Sequence, residues 1–179
     1  MNHIVGVDPG TEQLGLVLVK GNTRRFEVVK YYVPRSPRDV SWWEKTHDLK
    51  IMIHNWIEEN TKDYRPFDLA IEEPFVPNFG RVGSFGLQNR FIGMLYTFMR
   101  YNYREDVGKI LLIHPGTVKM QLTGKGTATK DDMVNAAKKF TRLPKDRKPR
   151  EAAADAIGVA YAAWENSRQG IKGVQEFDL

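Results

Sequence analysis

A chain of 179 residues is long enough for one well-buried domain and short for two, so we treat residues 1–179 as a single domain. The lack of cysteine excludes disulfides, thiolate zinc sites and cysteine nucleophiles, and a net charge of +5 is compatible with a polyanionic partner. No apolar run approaches the roughly 20 residues that span a bilayer and no secretory leader opens the chain, so we expect a soluble, cytoplasmic protein.

The N-terminal third of the chain predicts three strands followed by a helix. Residues 3–33 hold short apolar runs separated by turn residues, as in an antiparallel meander, with Gly21-Asn22 as the second turn. The first strand ends on Asp8, and a Pro-Gly pair follows at once. Residues 41–60 carry apolar side chains at helical spacing and predict an amphipathic helix.

The middle of the chain alternates between strands and helices. Residues 67–71 predict a buried strand, and the proline- and glycine-containing segment 74–84 predicts a loop. Residues 85–103 predict a helix, 110–113 another buried strand, and 117–122 a short helix. The helix over 85–103 offers five large apolar side chains for burial or for a partner: Phe85, Ile92, Leu95, Met99 and Tyr103.

The C-terminal part predicts two further helices. Thr129 is a favourable N-cap for a helix through residue 140. Residues 143–150 contain two prolines and several basic side chains, which indicates a flexible basic linker before a last helix over 151–166. A loose tail is expected from about residue 168. Strands followed by alternating helices and strands favour an α/β fold with a sheet of mixed direction.

Acidic residues stand where several of these elements begin or end. Asp8 closes the first strand, Glu72 and Glu73 follow the strand at 67–71, and Glu151 and Asp155 share one face of the last helix. Because strand residues alternate between faces, only one of the pair at 72 and 73 can point toward a common site. Converging carboxylates are the ligands that Mg²⁺ and Mn²⁺ prefer, so a two-metal phosphoryl-transfer centre is the functional hypothesis.

Each acid also has an ordinary structural explanation. A carboxylate at a strand end is commonly a solvated turn residue. An acid in the first turn of a helix commonly interacts with the helix dipole, and Pro149 would fit the turn in which Glu151 then lies. The metal hypothesis therefore depends on the acids meeting in space.

Four segments resemble the motifs of RuvC-type Holliday junction resolvases, in the same order and at similar spacing. They are residues 7–11, 70–75, 118–130 and 154–156. The segment 118–130 is the most specific, since it holds a lysine, a Gly-x-Gly loop and a second lysine. The resemblance covers residues 4 to 164. The Asp-x-Gly motif alone also occurs in actin-like ATPases, but those need two lobes and this chain is too short for them.

The resemblance implies an α/β fold of the ribonuclease H-like type, with a mixed five-stranded sheet flanked by helices. It also implies a homodimer that cleaves four-way DNA junctions symmetrically and leaves 5′-phosphate and 3′-hydroxyl ends. The implied cofactor is Mg²⁺, with two ions per active site and Mn²⁺ as a substitute. DNA recombination and repair are the processes in which such an enzyme acts.

The metal-binding acids of the family match Asp8, Glu72 and Asp155. The family usually has a fourth acid or a histidine three residues before the helix aspartate, where this chain has Ala152. Glu151 is the available substitute. This departure suggests a divergent branch of the family, for which a viral origin is one option.

The resemblance also implies DNA-contacting residues. Lys119 and Lys130 match lysines that contact DNA or act in the catalytic site, and Phe75 matches an aromatic that stacks at the junction centre. The helix over 85–103 matches the dimerisation helix. Further phosphate contacts are expected from basic side chains, although a merely solvated linker explains several of them equally well: Lys125, Lys145, Arg147, Lys148 and Arg150.

Two rival functions remain open from the sequence. A ribonuclease H-like nuclease could act on RNA or RNA–DNA hybrids, against which the lysine segment argues. A non-catalytic protein could bind junctions, against which the acids argue, because carboxylates facing phosphates weaken binding.

Overall fold

Six strands form one mixed β-sheet in the computed structural model, which describes residues 2–10, 13–36, 40–74 and 82–178. The strands are β1 (Asn2–Asp8), β2 (Gly15–Gly21), β3 (Phe26–Tyr32), β4 (Phe67–Glu72), β5 (Val107–Ile113) and β6 (Val174–Asp178). The helices are α1 (Trp42–Asn60), α2 (Val82–Asn102), α3 (Pro115–Thr123), α4 (Lys130–Ala137) and α5 (Arg147–Gln169). Within these described ranges no helix is both long and apolar enough to cross a membrane.

The strand order is β3-β2-β1-β4-β5-β6. β1, β2 and β3 pair antiparallel, as the sequence predicts, whereas β1, β4 and β5 run parallel to one another. The carboxyl ends of parallel neighbours lie at the same edge of a sheet. The last residues of β1 and β4 are Asp8 and Glu72, so the topology brings these two acids to one edge.

Each face of the sheet has its own hydrophobic core. Ile4, Val17 and Ala70 pack against α5 on one face. Val5, Val7 and Ile71 lie on the other face in a core that α1 and α2 complete. This division follows the two-residue period of a strand, in which alternate side chains point to opposite faces.

Small residues allow α5 to lie very close to the sheet. A Cβ atom placed on Gly6 of β1 would be only 2.7 Å from the carbonyl oxygen of Ala156 and 2.9 Å from Cβ of Ala160. Gly15 of β2 faces the carbonyl oxygen of Ala152 in the same way. The glycines of the strands and the alanines of α5 therefore determine how close Asp155 lies to the sheet.

The sheet has one strand more than predicted, and the C-terminal segment explains the difference. The expected loose tail from about residue 168 continues α5 to Gln169 and then forms β6, which pairs antiparallel with β5. Lys109 and Glu176 form an ion pair of 2.7 Å across these strands. β6 is mostly exposed and lacks a buried apolar face, so its sequence carries no strand periodicity; backbone pairing at the sheet edge holds it.

The predicted basic linker is also wrong in part. α5 begins at Arg147, so Lys148, Pro149 and Arg150 belong to its first turn. Proline is tolerated there because the first N–H groups of a helix have no partner within it. The capping prediction for α4 is confirmed: Thr129 accepts from the Asp132 backbone N–H, and the Asp132 carboxylate accepts from the Thr129 backbone N–H.

The apolar residues predicted for the helix over 85–103 pack within the chain itself. Four of the five lie in the core on the α1–α2 face of the sheet, each at most 8% exposed: Ile92, Leu95 and Met99 of α2, and Tyr103 just after its end. The side chain of Phe85 is outside the described part of the structure. These core residues are therefore not the ones available to a partner.

Candidate active site

The two strand-end acids point to the same face of the sheet. Val7 of β1 is paired with Ile71 of β4. Asp8 and Glu72 are the next residues of these two strands, so they lie at adjacent positions. Ala70 belongs to the core beneath α5 and Ile71 to the opposite core, which puts Glu72 on the α5 face. Glu73 follows the strand and donates its backbone N–H to the carbonyl oxygen of Ile113. The alternation of strand side chains between the two faces of the sheet thus directs Glu72, and not Glu73, toward the same site as Asp8.

The third acid approaches from the helix layer. Asp155 is 7% exposed and lies in α5 between alanines that belong to the core. Its negative charge raises the pKa of both Asp8 and Glu72, as expected of a carboxylate nearby. The structure therefore brings together the three acids that lie 64 and 83 residues apart along the chain.

The acids disfavour one another's ionised form. Burial raises the pKa of Asp8 well above its usual range, and the charges of Glu72 and Asp155 raise it further. Burial and the charge of Asp155 raise the pKa of Glu72 to about 7. Buried carboxylates that repel one another gain stability from a neighbouring cation. The site is therefore electrostatically suited to bind positive charge.

Lys130 supplies one such charge. Its Nζ donates a hydrogen bond to Oδ2 of Asp155. Burial acts to lower the pKa of Lys130, but the charges of Asp155, Asp8 and Glu72 outweigh it and the pKa is raised. Lys130 is the first residue of α4, so the capping box at Thr129 fixes the backbone from which this ammonium reaches the acids.

Lys119 supplies a second positive charge from α3. This helix begins after His114, whose ring accepts the backbone N–H of Gly116, and has a proline in its first turn. The charge of Lys119 acts to lower the pKa of both Glu72 and Asp155. Both lysines of the sequence motif therefore act electrostatically on the acids.

Glu151 lies one helical turn before Asp155 but is bound to another partner. Its Oε1 accepts from Nε of Arg147 at 2.7 Å, and its side chain is 22% exposed. Its charge contributes to raising the pKa of Asp155. Since α5 starts at Arg147, Glu151 lies beyond the first turn, so the expected role as a first-turn acid is wrong. Ala152 is buried against Gly15.

The other predicted DNA contacts lie around this centre or outside the described residues. Lys125 is exposed in the loop between α3 and α4. Lys148 is exposed in the first turn of α5, and Nη1 of Arg150 donates to the carbonyl oxygen of Lys145 at 3.3 Å. Phe75 lies outside the described residues.

The donor chemistry fits a hard divalent cation, because the buried Asp155 and the half-buried Asp8 and Glu72 lie at one edge of the sheet and carboxylate oxygens are the ligands Mg²⁺ prefers. Among the described residues, however, no three His, Asp or Glu side chains are already grouped to hold an ion. In this arrangement the cation bound to Asp155 is the Lys130 ammonium. A metal ion held by Asp8, Glu72 and Asp155 would thus replace the Lys130 ammonium as the partner of Asp155.

The family model of crossover junction endodeoxyribonuclease RuvC matches residues 4–163. The chain belongs to the RuvC family. A RuvC relative from Fusobacterium nucleatum is 26% identical over 157 residues, which cover 88% of this chain and 77% of the relative. A RuvC relative from Legionella pneumophila strain Paris is 28% identical over 160 residues, covering 89% and 85%. Nucleases of the RuvC family are metal-dependent.

Solved RuvC structures share the fold. Thermus thermophilus RuvC in complex with its Holliday junction substrate superposes with a TM-score of 0.72 at 20% identity, over 99% of this chain and 100% of that chain. The yeast mitochondrial Holliday junction resolvase superposes with a TM-score of 0.63 at 13% identity, over 94% and 81%. The ribonuclease H-like α/β architecture expected from the RuvC resemblance is confirmed.

Two contacts near the acids are not among the predictions from the sequence. The first is the Arg147–Glu151 ion pair, although a four-residue spacing is the spacing of a helical ion pair. The second is the close approach of α5 to Gly6, although glycine inside a strand is a signal of close backbone approach. Its partner, Ala156, belongs to an alanine-rich helix, which is the complementary signal.

Proposed function

We propose that this RuvC-family chain is a metal-dependent, structure-selective endodeoxyribonuclease that resolves four-way DNA junctions by paired symmetric nicks. The observation that carries this proposal is the convergence of Asp8, Glu72 and Asp155 with the Lys130 ammonium at one edge of the sheet. The names of its relatives, crossover junction endodeoxyribonuclease, support the same assignment.

The reaction would be hydrolysis of one phosphodiester bond in each of two strands. The oxygen of a water molecule forms a bond to phosphorus and the bond from phosphorus to the 3′ oxygen breaks, which leaves a 5′-phosphate and a 3′-hydroxyl. The three acids would hold two Mg²⁺ ions, or Mn²⁺ in their place, with Glu151 as a fourth ligand. When bound, such ions supply a nucleophile at neutral pH and stabilise charge on the leaving oxygen.

The two lysines would serve the phosphate. Lys119 and Lys130 already act on the acids through their charge, which supports a role for them in holding the scissile or a flanking phosphate. A phosphate that enters this site competes with Asp155 for the Lys130 ammonium. As substrate binds, the Lys130 ammonium would then release Asp155 and bind the DNA phosphate instead.

More distant basic groups would follow the DNA backbone. Lys125 lies in the loop that precedes α4, and Lys148 and Arg150 lie at the start of α5. Phosphate contacts of this kind give affinity and orientation without sequence preference. Phe75, which follows Glu72 by three residues, would stack at the junction centre, as the family resemblance implies.

A homodimer would supply the second nick, and the outer face of α2 is its best candidate interface. Gly86 and Gly93 lie seven residues apart on this helix, and a Cβ added at either meets nothing within 4 Å. Thr97 is exposed one turn further along, and Tyr101 beyond it is 82% exposed. Small residues on a helix surface permit close packing of a second helix, which supports a two-fold contact here.

Two alternatives follow from the same fold. A nuclease for RNA or RNA–DNA hybrids would use the same acids, and a junction-binding protein would use only the lysines. The placement of the half-buried Asp8 and Glu72 among like charges argues against simple binding, because such an arrangement is costly unless it serves chemistry.

One experiment separates these functions. The purified protein is incubated with Mg²⁺ and labelled four-way junction, linear duplex, or RNA–DNA hybrid of equal length, and the cuts are mapped on each strand. We expect paired nicks at symmetric positions in the junction and ligatable product ends. Cleavage of the hybrid in preference to the junction would support the first alternative, and binding without cleavage the second.

A further inference from the structure

Arg147, Glu151 and Asp155 lie on successive turns along one face of α5. Side chains in a helix lean toward its N-terminus, and Glu151 does so here, since its carboxylate is bound to Arg147. This pairing draws the carboxylate away from Asp155, the next acid along the face. Glu151 is therefore near the acidic centre but turned from it.

The partner of Glu151 is open to solvent. The side chain of Arg147 is 79% exposed, whereas that of Glu151 is 22% exposed. Arg147 begins the helix and is followed by the basic residues Lys148 and Arg150, so the start of α5 carries positive charge that attracts phosphate. A guanidinium binds phosphate in two parallel hydrogen bonds, and phosphate can replace a carboxylate as its partner.

We propose that Arg147 is a positioning residue that holds Glu151 away from the acidic centre until a DNA phosphate takes the guanidinium. Glu151 is then free to turn toward Asp155 and to act as the fourth metal ligand, which Ala152 cannot supply. Arg147 thus couples DNA binding to metal affinity. The inference rests on the proposed function, since it takes DNA and a divalent ion as the two ligands.

The coupling must be reciprocal. If DNA raises the affinity of the site for the ion, then the ion raises the affinity for DNA by the same factor. Loss of the Arg147 side chain should free Glu151 permanently, so metal binding should become tighter in the absence of DNA. Loss of the Glu151 carboxylate should remove the effect altogether.

The test measures binding of Mn²⁺ by electron spin resonance of the free ion, which requires no turnover. Four proteins are compared: wild type, Arg147→Gln, Glu151→Gln and the double variant. Each is titrated alone and with a four-way junction that carries phosphorothioate linkages around the crossover to slow hydrolysis. Arg142→Gln is the control, since it removes an equal charge from an exposed residue that forms no ion pair among the described residues.

We expect Arg147→Gln to tighten Mn²⁺ binding by about twofold without DNA, which is the most that release of one exposed ion pair at this helical spacing can supply. The junction should tighten binding to wild type by a similar factor and add little more for Arg147→Gln. In the Glu151→Gln background the Arg147 substitution should have no more effect than Arg142→Gln.

Two results would overturn the proposal. Unchanged Mn²⁺ affinity in Arg147→Gln would show that Arg147 does not restrain Glu151. Equal tightening with and without the Glu151 carboxylate would show a general effect of charge. Junction cleavage by wild type is measured in parallel: cleavage with no coupling refutes this inference alone, whereas no cleavage of any junction refutes the proposed function.

Discussion

Gly6 of β1 faces the carbonyl oxygen of Ala156 in α5 so closely that a Cβ on the glycine would be 2.7 Å away. Asp155 precedes Ala156, and Asp8 lies two residues beyond Gly6 on the same face of the sheet. A very close helix–sheet contact is therefore adjacent to two of the acids, so packing in the core and geometry in the site are linked.

This contact predicts that Gly6→Ala lowers both the stability of the fold and the cleavage activity. The added methyl also meets Cγ1 of Val17 at 2.9 Å, so α5 must shift, and overpacking of this kind costs about 1–3 kcal/mol of stability. We expect a lower Tm and a loss of junction cleavage larger than the loss of folded protein. Gly126→Ala is the control for Tm, because its Cβ meets nothing closer than 3.6 Å. Full activity with a normal Tm would contradict this prediction.

The acids should be separable by substitution. Asp8→Asn and Glu72→Gln preserve shape but remove a ligand charge, so cleavage should fall by orders of magnitude while junction binding survives. Glu73→Gln is the matched control: strand alternation directs its side chain away from the face that Glu72 shares with α5, so the cleavage rate of this variant should stay near that of wild type. Gel-shift and cleavage assays on the same preparations check both. A larger loss for Glu73→Gln than for Glu72→Gln would overturn the strand register argument.

The raised pKa of Glu72 predicts a pH dependence of stability. Between the usual value of 4.5 and about 7 the folded protein binds more protons at this group than the unfolded chain, so the free energy of unfolding should fall as pH rises through that window. Glu72→Gln should remove this part of the slope. The measurement is chemical denaturation of both proteins from pH 4.5 to 8 in the presence of a chelator. Parallel curves for the two proteins would be incompatible with the raised pKa.

The lysines should affect cleavage more than affinity. Lys119→Ala and Lys130→Ala remove charges that act on the acids, so the cleavage rate should fall by more than the binding constant. Lys148→Ala should do the reverse and reduce the salt dependence of binding by about one phosphate contact. Binding titrations at several salt concentrations, with single-turnover cleavage, distinguish these classes. Equal losses for all three lysines would make Lys119 and Lys130 ordinary backbone contacts.

The outer face of α2 should hold the dimer. Light scattering of the wild type should give about twice the chain mass of 20.6 kDa. Gly93→Arg places a long charged side chain on an open, exposed helix surface, so it should give a folded monomer that no longer makes paired nicks. Gly93→Ala adds one methyl and should remain dimeric. A monomeric wild type with full paired cleavage would refute this interface.

The sequence by itself determined most of the elements and the identity of the candidate acids. The meander, the helix over 41–60 and the strand at 67–71 follow from local periodicity, which acts over a few residues and is visible in the chain. Asp8, Glu72 and Asp155 could be named because they match the metal-binding acids of the family that the motifs resemble. The order of motifs also led to the RuvC family and hence to the fold.

Tertiary structure decided what depends on contacts between distant segments. β6 forms because the edge of β5 offers backbone hydrogen bonds. No periodicity in residues 174–178 predicts this strand. The selection of Glu72 over Glu73 depends on which face α5 covers. The pairing of Lys130 with Asp155 depends on how α4 packs beside α5. Charges acquire partners only after folding has brought their elements together.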